Sequence, residues 1–184
     1  MILRPSNLTD DLELRQFEPQ NAATLFETVE ANRQHLRQWL PWVDRTRSAD
    51  DIRQFLSRVA AQWEDDLCPQ FRYLAAGNAG GCNRLSSVRS AESFLQPGLL
   101  DRGGHQGAGI VTGCCRLLMD YLFDEARLHR VEIRCATGNT RSGAIPRRLH
   151  FRREGILLEA EWVSDRWLDL EVWSMLEQDW RNLL

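Results

Sequence analysis

His105-Gln106-Gly107-Ala108-Gly109-Ile110-Val111-Thr112 is the stretch whose residue types and spacing suit chemistry most directly. Two glycines within three residues let the backbone take left-handed angles and approach a ligand closely. The apolar stripe that starts at Ile110 makes the next residues the first turn of a helix. That turn presents unpaired amide N–H groups and the positive end of the helix dipole. Such a place suits a phosphate or pyrophosphate. On its own the pattern reads equally well as a plain turn before a surface helix. Two rival anion sites fare worse. All 23 basic residues are arginine, so no lysine exists to complete a Walker-type P-loop. For a dinucleotide fingerprint built on Gly107, Gly109 and Gly113, the third glycine comes one residue late and the turn lies too far along the chain.

Something must hold that turn, and composition bounds what it is. With 184 residues, 43% of them hydrophobic, the chain is expected to be one domain spanning 1–184 with a real core. A net charge of −3 gives no electrostatic reason for nucleic-acid binding. No run has the length of a membrane span, and Met1-Ile2-Leu3-Arg4-Pro5 lacks the apolar core of a signal peptide. The cysteines at 68, 82, 114, 115 and 135 are odd in number and form no CxxC pair. They favour neither a disulfide framework nor a zinc site, so a cytoplasmic location is expected. His35, His129 and His150 show no ligand spacing either, and no metal is expected.

The supporting elements follow from periodicity. Leu12-Glu13-Leu14-Arg15-Gln16-Phe17 alternates as a half-buried strand. A helix is predicted from about Gln20 to Gln38, with Ala23, Phe26, Val29 and Ala31 inward, ending before Leu40-Pro41. Ser48 starts a second helix that carries Ile52, Phe55, Leu56, Val59 and Trp63. Phe71 to Ala75 is a strand. Ile110, Val111, Cys114, Leu117, Leu118, Tyr121 and Leu122 trace a wide helical stripe. Val131 to Cys135 alternates cleanly, Asn139 to Leu149 is a short helix containing Pro146, and Arg152–Trp162 and Trp167–Leu176 are strands joined at Ser164-Asp165. Gly155 marks a bulge in the first of these. A last helix covers about Glu177 to Leu184. The order implies an α/β fold with helices on both faces of a mixed sheet.

Four blocks resemble the GNAT superfamily of acetyl-coenzyme A-dependent N-acetyltransferases, in its RimJ/RimL-like branch, whose members acetylate N-terminal amines of ribosomal proteins. They are Asn32 to Val43, the His105–Thr112 turn, Leu128 to Cys135, and Asn139 to Phe151. The resemblance implies a mixed, mostly antiparallel GNAT-like sheet flanked by helices. It implies acetyl-CoA as co-substrate with no metal, and an amine acceptor that is a protein N-terminus or a small molecule. Homodimers are common in the family. Gln106, Gly107, Ala108, Gly109, Ile110, Val111 and Thr112 would cradle the pyrophosphate, and Asn139 and Ser142 would lie along the pantetheine arm. Glu159-Ala160-Glu161-Trp162 would line the acceptor cleft, which the region of Trp39 and Trp42 borders.

The chemistry needs a neutral amine, an amide N–H for the oxyanion, and a proton for the leaving thiolate. Glu161 is the candidate base, directly or through water, against the reading of a solvated strand glutamate. Ser142 is the candidate proton donor, against that of a helix-initiating serine. Cys135 is the third candidate, although its type and place favour a small buried residue over a nucleophile. Two positions depart from the family: His150 stands where glycine is usual, and Gly113 where a helix former is usual.

From Gly77 to Gly104 neither period holds, although both flanks match. The expectation is an irregular segment over 78–104, where the family has two antiparallel strands. One explanation is a pair of compensating single-base shifts in the coding sequence. Allowed codons for Gly98 to Gly104, read one base later, give GYWIEEA running into His105. Gly81 to Pro97 reads similarly as GAIGFHQFDRQNRSCSL, which is strand, turn and strand. On that account the alternative to an active enzyme is a catalytically impaired or non-catalytic coenzyme A-binding remnant of the fold.

Overall fold

The computed structural model describes the backbone of residues 2–3, 12–16, 18–64, 70–75, 78–89, 92–96 and 110–183, and side chains within 18–58 and 111–183. Among the described residues, eight strands form one sheet in the order β1-β2-β3-β4-β5-β6-β8-β7. They are β1 (Ile2–Leu3), β2 (Leu12–Gln16), β3 (Gln70–Ala75), β4 (Asn78–Arg89), β5 (Glu92–Gln96), β6 (Arg130–Ala136), β7 (Arg152–Val163) and β8 (Arg166–Leu176). Every neighbouring pair is antiparallel except β5 and β6, which run parallel. A parallel pair needs a crossover. Helix α3 (Ile110–Asp124) lies in the connection from β5 to β6.

The strand and helix expectations for both flanks hold to within a few residues. The irregular segment expected over 78–104 does not. Residues 78–89 and 92–96 are the strands β4 and β5, paired antiparallel from Arg84↔Gln96 to Arg89↔Glu92. Ladder bonds use main-chain groups that every residue but proline supplies. A segment without side-chain alternation therefore pairs where β3 and β6 offer it two edges. Residues 97–104 lie outside those described.

Helix α1 (Ala22–Leu36) and helix α2 (Ala49–Glu64) pack together around Ala22, Val29, Leu36, Val43, Ile52 and Leu56. The inward stripe of α1 is rotated from the expected one. Ala23 and Ala31 are exposed, and Ala22, Thr28, Val29 and Leu36 are buried. Four apolar residues of similar weight left the angle of the stripe undetermined. Helix α1 stops at Leu36, before Leu40-Pro41, and the Arg33 guanidinium ties the following turn back to it. It donates to the carbonyls of Val43 at 2.6 Å and Thr46 at 2.5 Å. Ser48 opens α2 as expected. Asp51 Oδ2 accepts the Ser48 N–H at 2.9 Å, and the Asp51 N–H donates to Ser48 Oγ at 3.2 Å, a reciprocal cap.

The larger core lies between the sheet, α3 and α4 (Thr140–Arg148). Leu118, Met119, Leu122, Phe123, Val131, Ile133, Ile145 and Leu149 are all buried there. The chain closes with α5 (Glu177–Arg181), whose Trp180 packs on Phe123 and donates its indole N–H to Asp120 Oδ1 at 2.8 Å.

Candidate functional site

The site is built around the end of β6. Among the described residues, β5 pairs with β6 only as far as Leu95↔Ile133. On its other side β6 continues against β8 through Arg134↔Val172, Cys135↔Glu171 and Ala136↔Leu170. Three residues of β6 thus extend past the last β5 pair. The chain then turns at Thr137-Gly138-Asn139, pinned by Thr137 N–H to the Asp169 carbonyl at 2.9 Å. Asn139 caps α4: its Oδ1 accepts the Ser142 N–H at 3.1 Å. That satisfies one of the orphan donors of the first turn and fixes Ser142, which is buried.

Pleating divides the candidate residues between the two faces of the sheet. Cys135 and Glu171 face α4. A Cβ at Gly143 would stand 3.4 Å from Glu171 Oε2 and 3.8 Å from Cys135 Sγ. Burial, with the Glu171 charge adding to it, pushes the Cys135 thiol up to about 11. At neutral pH it is therefore a protonated, buried thiol, a poor nucleophile.

Glu161 lies on the other face, half-buried, in register with Leu168. Ala136, Val163, Leu168 and Leu170 form a small core there, with Trp39 packed against it. The register of β7 shifts between Leu157 and Glu161, so two extra residues sit opposite Leu170 to Leu168. Glu159 takes φ 45 within that bulge, and its N–H donates to Asp169 Oδ1 at 2.8 Å. Bulges of this kind re-aim side chains. The second irregularity of β7, between Arg153 and Gly155, falls where the sequence places it. The turn between β7 and β8 is tied to the end of α1, because Ser164 Oγ donates to the Arg37 carbonyl at 3.0 Å.

The expected pyrophosphate cradle lies only partly within the described residues. Gln106, Gly107, Ala108 and Gly109 lie outside the described residues, while Ile110, Val111 and Thr112 form the first turn of α3. The side chain of Val111 packs against the large core. Thr112 Oγ1 is buried there with no hydrogen-bond partner.

The acetyltransferase (GNAT) domain profile matches residues 11–152, more than half of the chain. The chain is a member of the GNAT acetyltransferase family. A putative ribosomal N-acetyltransferase of Bacillus subtilis, YdaF, is 30% identical over 95% of this chain and 96% of its own length. The ribosomal-protein-serine acetyltransferase of Escherichia coli is 21% identical over 92% of this chain and 94% of its own. Among solved structures, RimL, a ribosomal-protein alpha-N-acetyltransferase in complex with coenzyme A, superposes with a TM-score of 0.89 at 21% identity. That match covers 97% of this chain and 99% of the other.

This GNAT chain is an N-acetyltransferase that takes its acetyl group from acetyl-coenzyme A. The residues present fit that co-substrate. Thr112 Oγ1 is a buried hydroxyl without a partner, and the first turn of a helix presents N–H groups that suit a phosphate. Among the described residues, no group of three or more His, Cys, Asp and Glu side chains is placed to hold a metal ion.

Sequence reasoning missed Asp169 and Glu171. The first anchors the β7 bulge beside Glu161, and the second is buried behind Cys135. A signal for the second was present: a lone acid inside the run Leu170-Glu171-Val172-Trp173, in a strand with neighbours on both edges.

Proposed function

We propose that the chain works as a single domain in the cytoplasm, acetylating the N-terminal amine of a protein, in the manner its ribosomal-protein-acetylating relatives are named for. The observation that carries this reading is the division of the candidate groups between the two faces at the end of β6. Glu161 stands with Trp39 on one face, and Ser142 with Cys135 and α4 on the other. An amine arriving on the Glu161 face meets a thioester held from the α3 and α4 side. Its nitrogen attacks the carbonyl carbon and gives a proton to Glu161. The carbon–sulfur bond breaks, and Ser142 supplies a proton to the departing thiolate and regains one from solvent, to which Glu161 releases the proton it took. Gln106 to Thr112 hold the pyrophosphate and Asn139 the pantetheine arm.

No helix among the described residues is long and apolar enough to cross a membrane. Ile156, Leu157 and Leu158 are exposed on the edge strand β7 and give a homodimer an apolar contact.

The test is acetyl transfer from acetyl-CoA to peptides with N-terminal serine or alanine and to a panel of small amines, with Glu161→Gln as control. The peptides are expected to be the better acceptors, and Glu161→Gln to lower kcat about a hundredfold, as loss of a general base does. Preference for a small amine would overturn the acceptor class. An active Glu161→Gln would overturn the base.

A further inference from the structure

Glu171 is a buried carboxylate that no step of the reaction uses. Its neighbours on the same face of β8 are Trp173 and Met175, part of the large core. An apolar side chain would fill that position without the cost of desolvating a charge. What the carboxylate adds is a fixed set of contacts. Oε2 accepts the Trp173 indole N–H at 3.1 Å, and Oε1 pairs with Arg153 Nε at 3.2 Å. Arg147 approaches the same oxygen at 3.9 Å, with its guanidinium 5.5 Å above the Trp173 ring. Gly143 has no side chain, which lets the α4 backbone lie against Oε2, where a Cβ would stand at 3.4 Å. One carboxylate therefore touches α4 at Gly143 and reaches it again one turn on at Arg147, while β7 and β8 grip it from below. The residue before Gly143 is Ser142.

We infer that Glu171 is a positioning residue for acetyl transfer: it seats the first turn of α4 on β6 and β8 and so sets where the Ser142 hydroxyl points. The inference rests on the reading of Ser142 as proton donor. Glu171→Gln keeps the size and the acceptor for Trp173 but loses the pull of both arginines. Arg153→Gln, at an exposed position on the edge strand, loosens the same anchor with little risk to folding.

The experiment measures kcat, KM for acetyl-CoA and thermal midpoint for both variants, for Ser142→Ala, and for Ser142→Ala combined with each. Glu171→Gln is expected to lower kcat about tenfold, the scale of a small misplacement. KM should hold within about twofold, and neither anchor variant should lower kcat further once Ser142 is alanine. Arg153→Gln should show the same pattern at smaller amplitude. Losses that multiply with that of Ser142→Ala, or a lower midpoint with unchanged kcat, overturn the inference and leave the Ser142 reading standing. A fully active Ser142→Ala overturns that reading, and the inference with it.

Discussion

Asn139 has an observed structural role and a proposed binding role, which experiment can separate. Its Oδ1 caps α4 through the Ser142 N–H at 3.1 Å, and we propose that its side chain also contacts the pantetheine arm. Asn139→Ala removes the cap, a loss of about 1 kcal/mol within a range of about 0.5–2. Helix α4 has nine residues, and Pro146 within it lacks one of the N–H donors, so the cap is a large share of what holds its start. In a protein of this size, about 1 kcal/mol moves the thermal midpoint by about 2–4 °C. Asn139→Asp keeps the acceptor and adds charge at the positive end of the helix, a gain of about 0.3–1 kcal/mol. Its midpoint should match or exceed that of the parent. Activity should split differently. The alanine variant loses kcat because Ser142 shifts, and its KM for acetyl-CoA rises. The aspartate variant recovers kcat but not KM, having lost the amide N–H donors. Thermal melts and a thiol-release assay read both. An alanine variant that melts with the parent, or an aspartate variant that melts with the alanine one, refutes the capping argument.

Three further outcomes are expected. His150 adopts φ 59 after α4, where its N–H donates to the Arg147 carbonyl and that of Phe151 to the Pro146 carbonyl. Left-handed geometry costs a side-chain-bearing residue about 1–2 kcal/mol, and glycine's extra unfolded freedom returns about 0.5–1, so His150→Gly should raise the midpoint by about 1–4 °C. Burial raises the Asp120 carboxyl, with the Trp180 indole opposing and Asp124 adding to it. A raised folded-state value means the charged form weakens folding above it, and stability recovers as pH falls through it. Asp120→Asn keeps an acceptor for Trp180, so it should be more stable than the parent at neutral pH, with the advantage shrinking in acid urea melts. Burial pushes the Cys115 thiol up to about 12 and that of Cys135 up to about 11, so iodoacetamide at pH 8 should leave both unmodified in the native protein by peptide mapping. Rapid labelling of Cys135 would show a thiolate instead.

What was legible in the sequence had a local cause. The Ser48 cap, the alternation of Val131 to Cys135 and the bulge at Gly155 are each written within a few residues, and each stands in the structure. The His150 departure was legible too, since a position that favours glycine does take a positive φ. What was not legible depends on the distant chain. The inward angle of α1 is set by α2 and by the turn that Arg33 holds. Glu171 stands out as an acid in an apolar run, but its partners on α4 and β7 are brought to it only by the fold. Asp169 gains its role only because β7 carries two extra residues opposite it, and no spacing within β8 announces them. The division of Glu161 and Ser142 between faces likewise needs the register of three strands.

The hairpin of β4 and β5 separates what the backbone can do from what side chains add. Its ladder forms over a sequence with Gly80, Gly81 and several serines, types that favour strands least or pack little. The alternate-frame string has the same length over residues 81–104 but places Ile, Phe, Tyr and Trp there. If the ladder is held by its neighbours alone, exchanging the side chains leaves the register intact and adds packing. Each exchange is worth up to about 1 kcal/mol in a strand, so several together amount to a few kcal/mol, and the thermal midpoint should rise by roughly 5–10 °C. Turnover should rise with it, because β5 supplies the neighbouring edge of β6 as far as Ile133, just before the strand end that leads to Ser142. A chain carrying that string is made and compared with the parent in melts and in acetyl transfer. An equal or lower midpoint would mean that the present side chains already suit the strands. Coding DNA across residues 75–106 incompatible with the shifted reading would remove the reason for its composition.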